Sequence, residues 1–214
     1  MNDYIKMVIR RPKLALDRIM HLREIVSWAT LLDNIFIQQE YRWLYNHIRS
    51  DTTLMDIGAF HGETAIYFSM NERIKKIYAI EPSKTSYKHL LKNTQLISRI
   101  KPYNFGIGIT HTSDTNKDSP LNKDFGNMVF INDFLQGKKN IAIKCDVEGK
   151  ELEVFPRDAK LDNVYAIEAE FHDTEKLLIK NLKDKGFIIK TIEKHKGILF
   201  KEVGMITAYK MQKS

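Results

Sequence analysis

Cysteine is nearly missing from this chain: Cys145 is the only one in 214 residues. An internal disulfide is therefore excluded, and so is any zinc cluster built on cysteines. No stretch approaches the roughly 18 consecutive apolar residues that a membrane-spanning helix needs. The first residues also lack the apolar core of a secretory signal. Internal repeats and low-complexity tracts are absent as well. These absences leave one soluble domain with an appended helical segment, expected in the cytoplasm. A chain of this length buries about 70% of the surface it exposes when unfolded, so it needs no covalent staple.

Negative charge is the scarcer sign, with 27 acidic against 34 basic side chains and a net charge of +7. Such a balance favours acidic partners, among them nucleic acid, although lysine-rich surfaces also serve solubility. Some clustering is visible: Lys6, Arg10, Arg11, Lys13, Arg18 and Arg23 stand against Asp3 and Asp17. Nucleic acid is thus an alternative partner but not the favoured one.

Residues 1–50 read as an N-terminal helical segment packed on the core. Ile5, Val8 and Ile9, then Leu14, Leu16, Ile19 and Met20, then Trp28, Leu31, Leu32 and Ile35 recur at helical spacing, with Pro12 as a break. Residues 51–214 change to short strands alternating with helices. "TTLMDIG", "KKIYAIE", "IKPYNFGIG", "NIAIKCDVEG" and "NVYAIEAEF" read as strands, and Ser83 is placed to cap a helix over "SKTSYKHLLKN". A helix is expected over Lys150 to Phe155, and Gly186 is placed to end the amphipathic "DTEKLLIKNLKDKG". The polar run 110–126 reads as a loop. "FIIKTIEKH" and "ILFKEVGMITAYK" are joined so closely that they must pair antiparallel. The expected fold is α/β, a mostly parallel sheet closed by a C-terminal antiparallel hairpin and preceded by N-terminal helices.

"LMDIGAFHGETAIYFS" marks the first strand-to-helix turn. In an open parallel sheet ligands bind beyond the carboxyl ends of the strands. Gly58 stands at such an end, and Gly62 opens the next helix, whose N–H groups are expected to face the site. The dinucleotide fingerprint needs a second glycine where this chain has Phe60, which disfavours a nicotinamide or flavin dinucleotide. Glu81 ends the second strand, placed to accept hydrogen bonds from both hydroxyls of an adenosine ribose. Asp56 adds negative charge near the turn, which repels phosphate and suits a ligand bearing an ammonium and a sulfonium. Together these point to S-adenosylmethionine (SAM).

"MDIGAFHGETAIYFS", "IYAIEPSKTSYKHLLKN" and "IAIKCDVEGKELEVF" resemble the three main motifs of the FkbM-like SAM-dependent methyltransferases. The resemblance spans roughly residues 52–190 and is most specific in the K-x-D-x-E-G-x-E pattern. It implies a Rossmann-like class I methyltransferase fold with a seven-stranded sheet. It also implies methyl transfer to a hydroxyl oxygen of a small-molecule, sugar or lipid-linked acceptor. Carried over by motif, Asp56, Gly58, Ala59 and Gly62 line the methionine and ribose side, Glu81 binds the ribose, and Pro82 lies near the adenine. Phe60 and His61 stand where the family often has asparagine, and Ile131-Asn132-Asp133 where it has leucine-aspartate-aspartate.

A hydroxyl acceptor needs a base or a metal, because an alcohol is a weak nucleophile. Lys144, Asp146 and Glu148 fall on alternate residues and are expected on one face of an extended segment. Two roles are open there: a Lys144 ion pair that fixes the loop, with Glu148 or Glu151 capping the next helix, or direct chemistry. In the second, Asp146 holds the methionine ammonium or orients the acceptor, and Glu148 is a candidate base. Glu168, Glu170 and His172 alternate at the end of the next strand, which makes His172 a third catalytic candidate. A metal is conceivable there, but no residues are assigned to one. His61 is expected to be stacked or exposed rather than catalytic. The rival readings are an RNA methyltransferase and a SAM-binding module without transfer activity. "KCDVEG" is unlike the N-P-P-Y type motif that serves amino-group methylation of a flipped base.

Overall fold

The computed structural model describes residues 33–37, 39–108, 127–195 and 200–211. Most of the predicted N-terminal helices and the whole 110–126 run lie outside the described residues. Within them, a π-helical turn at Asp33–Ile37 and helix α1 (Arg42–His47) precede the alternating region. There β1 (Thr52–Ile57), α2 (Glu63–Phe68), β2 (Ile74–Ile80), α3 (Lys84–Thr94) and β3 (Ile100–Tyr103) follow in turn. The short β4 (Phe105–Ile107), β5 (Asn127–Val129) and α4 (Ile131–Leu135) lead to β6 (Ile141–Cys145) and α5 (Glu151–Val154). β7 (Val164–His172), α6 (Glu175–Asp184), β8 (Ile188–His195) and β9 (Val203–Tyr209) complete the order.

Seven strands form one sheet in the order β3-β2-β1-β6-β7-β9-β8. Only β9 is reversed: it pairs antiparallel with both β7 and β8, while every other pairing in that sheet is parallel. Parallel strands buried on both faces need near-continuous apolar sequence, and β6 supplies it with all five residues buried. One face packs Leu54, Ala142 and Ala166 against Leu44, Phe68 and Leu90 of α1, α2 and α3. The opposite face packs Met55, Ile57 and Ile143 against Leu135, Val154 and Leu182 of α4, α5 and α6.

The helix ends behave as the sequence dictates. Ser83 caps α3, its side chain accepting from the Ser86 N–H at 3.2 Å. Gly186, with φ +80°, stops α6: its N–H reaches Lys183 O at 2.9 Å, and that of Phe187 reaches Leu182 O at 3.1 Å. The strand predicted over "IKPYNFGIG" is broken in two. Asn104 donates from Nδ2 to the carbonyls of Glu81 (3.0 Å) and Pro82 (3.2 Å), which draws the chain out of the main sheet. β4 then pairs with β5 in a separate two-stranded parallel sheet.

Candidate functional site

β1, β6 and β7 end side by side, and their exits form the site. After β1 the N–H groups of Gly58 and Ala59 both donate to Ile80 O at 3.0 Å, tying the turn to the end of β2. Gly58 sits at φ +77°, and a Cβ there would lie 1.7 Å from the Asp146 carbonyl oxygen. Only glycine lets the two loops approach that closely. Phe60 follows in the left-handed region at φ +47°. Its exposed ring stacks on His61 at 3.7 Å, and His61 in turn lies 4.6 Å from His89. Burial and then the neighbouring His89 push His61 down to about 4, consistent with a stacked rather than an acid-base role.

Glu81 is where the sequence places it, at the end of β2 and nearly buried. Its Oε2 accepts from the Phe60 N–H at 2.9 Å and its Oε1 from the Ser83 N–H at 2.8 Å. One carboxylate thus holds the loops after β1 and β2 together, and each oxygen keeps a further lone pair. Burial raises its pKa above the ordinary carboxylate value, against the two backbone hydrogen bonds. Pro82 is half-buried beside it, with its Cβ facing Gly106.

Two expectations for this turn, on Gly62 and Asp56, are corrected. The Gly62 N–H is used within the turn, donating to Ala59 O at 2.8 Å, so it does not face the site. What Gly62 serves is packing: a Cβ there would meet Leu90 Cδ1 at 2.9 Å and Thr94 Cγ2 at 3.0 Å of α3. Ala59 is buried, leaving only its backbone for contact. Asp56 does not line the cleft, because its side chain is wholly enclosed. It pairs with Lys144 Nζ at 3.1 Å, and the same ammonium donates to Gly58 O at 2.8 Å. Burial alone would lower the Lys144 pKa, but Asp56 and Asp146 outweigh it and hold the group above its ordinary value.

That ion pair also overturns the one-face reading of Lys144, Asp146 and Glu148. β6 stops at Cys145, and the chain turns through two left-handed residues, Glu148 at φ +50° and Gly149 at φ +92°. Lys144 therefore points into the core while Glu148 is 76% exposed. The turn nonetheless brings the three catalytic candidates together: one ligand atom each from Asp146, Glu148 and His172 all lie within 4.8 Å of one another. His172 Nε2 is 3.5 Å from Glu148 Oε2. Its Nδ1 is held by Glu151 Oε1 at 2.9 Å, and Glu151 also accepts from the Gly149 N–H and from Thr174 Oγ1. Burial depresses the His172 pKa, but the Glu151 hydrogen bond and the charges of Glu151, Glu170 and Glu148 raise it overall. One Asp146 oxygen, Oδ1, is shielded from solvent and has no hydrogen-bond partner.

Glu168, Glu170 and His172 alternate along β7 as the sequence indicates, but they diverge in role. Glu168 is buried and accepts from the Leu44 N–H at 3.0 Å, anchoring α1. Glu170 stays half-exposed near the site, pushed up to about 7 by burial and by Asp146 and Glu40. Glu40, Glu151 and Thr174 escape sequence reasoning as site residues. Glu40 sits in a stretch that reads as one more helical turn, and only the fold brings it toward Asp146 and Lys144.

Two buried carboxylates set a pH dependence. Burial, then Glu40 and Glu193, push Glu168 up to about 8 against the Leu44 hydrogen bond, and burial pushes Glu63 up to about 7. The unfolded chain releases these protons near 4.3, so the folded chain holds protons the unfolded one has lost. Stability must therefore fall as pH rises from about 4.3 to about 8. His61, with its lowered value, opposes this only below about 6.5. The melting temperature is expected to decrease over that window, and Glu168→Gln to flatten the slope. A level or rising curve would mean that both carboxylates ionise in the fold.

No family model and no curated protein sequence matches this chain. Solved structures do. TrmK of M. capricolum, solved with S-adenosyl-homocysteine, superposes with a TM-score of 0.53 at 17% identity, covering 80% of this chain and 67% of that one. A precorrin-6y C5,15-methyltransferase from Geobacter metallireducens gives 0.52 at 17%, covering 81% and 88%. Sp1610 of Streptococcus pneumoniae, a candidate tRNA (m1A22) methyltransferase solved with SAM, gives 0.52 at 17%, covering 82% and 75%. Strand order, the single reversed strand and these superpositions agree: the chain has the Rossmann-like class I methyltransferase fold.

Proposed function

We propose that this chain is a SAM-dependent methyltransferase whose acceptor is a hydroxyl on a small-molecule, sugar or lipid-linked compound. The observation that carries the reading is Glu81, which clamps the loops after β1 and β2 and keeps free lone pairs where a ribose would lie. The donor set fits the cofactor. A carboxylate stands ready for the ribose diol, Gly58 lets the loop after β6 close onto the turn, and Asp146, Glu40 and Glu170 make the cleft negative toward an ammonium and a sulfonium. Pro82 borders the adenine side. SAM supplies the electrophilic methyl group when bound.

The remaining work falls to the ends of β6 and β7. Asp146 orients the acceptor, and Glu148 and His172 are placed to take its hydroxyl proton. With SAM bound, the deprotonated acceptor oxygen would form the new O–C bond as the methyl–sulfur bond broke, the electron pair staying on sulfur. Aligning acceptor and methyl group supplies most of the acceleration in such a displacement. A second reading, RNA as the acceptor, is favoured by the +7 charge and by the likeness to a candidate tRNA methyltransferase. The carboxylates at the cleft oppose a phosphate backbone, which sets this reading second.

Calorimetry tests the proposal: SAM or S-adenosyl-homocysteine is expected to bind far more tightly than NAD, and absent or equal binding would end it. Glu81→Ala is expected to weaken SAM by about 2 kcal/mol, since hydrogen bonds to a charged acceptor are lost. An unchanged affinity would place the ribose elsewhere. Labelled methyl transfer into fractionated cell extract separates the two acceptors, with product in RNA overturning the hydroxyl reading.

A further inference from the structure

We infer that Asp146, Glu148 and His172 together bind a divalent cation at the mouth of the cleft. All three groups present lone pairs to one small volume, with ligand atoms no more than 4.8 Å apart. Ligands around one ion at about 2.1 Å stand roughly 3 to 4.2 Å from each other, so slight side-chain rotation closes the set. The two carboxylates supply the two negative charges that a divalent ion neutralises. Glu170 and Glu40 deepen the negative field around them.

The second observation lies behind the histidine. His172 is 5% exposed, and its Nδ1–H donates to Glu151, a wholly buried carboxylate fixed by the Gly149 N–H and the Thr174 hydroxyl. A carboxylate on one ring nitrogen fixes the tautomer and turns the lone pair of the other outward, as in most metal-bound histidines. Here that lone pair, on Nε2, faces Glu148 at 3.5 Å. With the ring neutral, that lone pair joins a glutamate oxygen and the unpartnered Oδ1 of Asp146 as acceptors, and a cation takes the place of the proton that otherwise bridges His172 and Glu148. Phe200, 4.7 Å from the imidazole, walls the set from one side.

Mixed imidazole and carboxylate ligation suits manganese-like ions, with water or substrate oxygen filling the open positions. Its use in catalysis rests on the methyltransferase reading: with the ion bound, Glu148 and His172 would serve as its ligands in place of acting as the base, and an acceptor hydroxyl on the ion would be acidified and give its proton to solvent. The binding itself does not rest on that reading.

The test titrates Mn2+ into the chelator-treated full chain and follows loss of the free-ion paramagnetic resonance signal. One saturable site is expected. Glu148→Gln should weaken it at least tenfold, and its exposed side chain makes that variant safe for folding. Asp146→Asn should do the same, while Glu153→Gln, which breaks only an exposed pair with Lys150, should not. Absence of saturable binding, or binding indifferent to Glu148→Gln and Asp146→Asn, overturns the inference. Mn2+ binding without SAM binding leaves the inference standing and removes the methyltransferase reading. SAM binding without a Mn2+ site does the reverse.

Discussion

Gly58→Ala is expected to unfold the junction of β1 and β6, lowering stability by about 2 to 5 kcal/mol. The added Cβ would lie 1.7 Å from the backbone carbonyl oxygen of Asp146, a group that cannot swing aside like a side-chain end. Overpacking of that kind costs about 1–3 kcal/mol, and a left-handed φ of +77° costs a β-carbon about 1–2 kcal/mol more. The loss reaches function too, because Gly58 O receives the Lys144 ammonium and Asp146 N–H donates to Ile57 O. Chemical denaturation with tryptophan emission reads the stability. A variant as stable as the parent would mean that the two loops separate without cost.

Lys144→Ala should destabilise the fold by about 3–5 kcal/mol, because it strands Asp56 as a buried, unpaired charge. Asp56 is 0% and Lys144 3% exposed, so neither can recover its hydration by a small movement. Removing both charges is a different perturbation. Lys144→Met combined with Asp56→Leu is expected to regain most of the loss, since a buried ion pair is often matched by well-packed apolar groups. The Gly58 carbonyl would still lose its donor, so recovery should stop short of full. Strictly additive losses in the double variant would show that the pair does not interact.

These two residues also show how far the sequence speaks. β1, β2, β6 and β7 are legible because each is a short apolar run ended by a turn signal. The reversed β9 is legible because its connection to β8 is too short for a crossover. Ser83 and Gly186 announce themselves as caps, and both act as such. The position of Glu81, directly after β2, is legible from the end of its apolar run. The period-2 reading of Lys144, Asp146 and Glu148 fails because β6 stops one residue after Lys144, and no residue type foretells that a glutamate will adopt φ +50°. The break at Asn104 is hidden for a similar reason: its side chain replaces ladder hydrogen bonds through contacts with Glu81 and Pro82, 23 and 22 positions away. The grouping of Asp146 and Glu148 with His172 and Glu151 is likewise a property of two neighbouring strand exits, not of spacing along the chain.

The reversed strand carries a cost during synthesis. β7, with its buried Ile167, Ala169 and Phe171, leaves the ribosome about 31 residues before β9, the strand that pairs with its outer edge. At roughly 5–20 residues per second that interval lasts on the order of 2 to 6 seconds. Throughout it a nascent chain displays an open apolar strand, the kind of template that invites pairing with another polypeptide. The wall that Phe200 gives the strand exits is also still to come. A half-made chain thus carries an unpaired strand edge, and the wall beside His172 is complete only after the last loop and strand have docked.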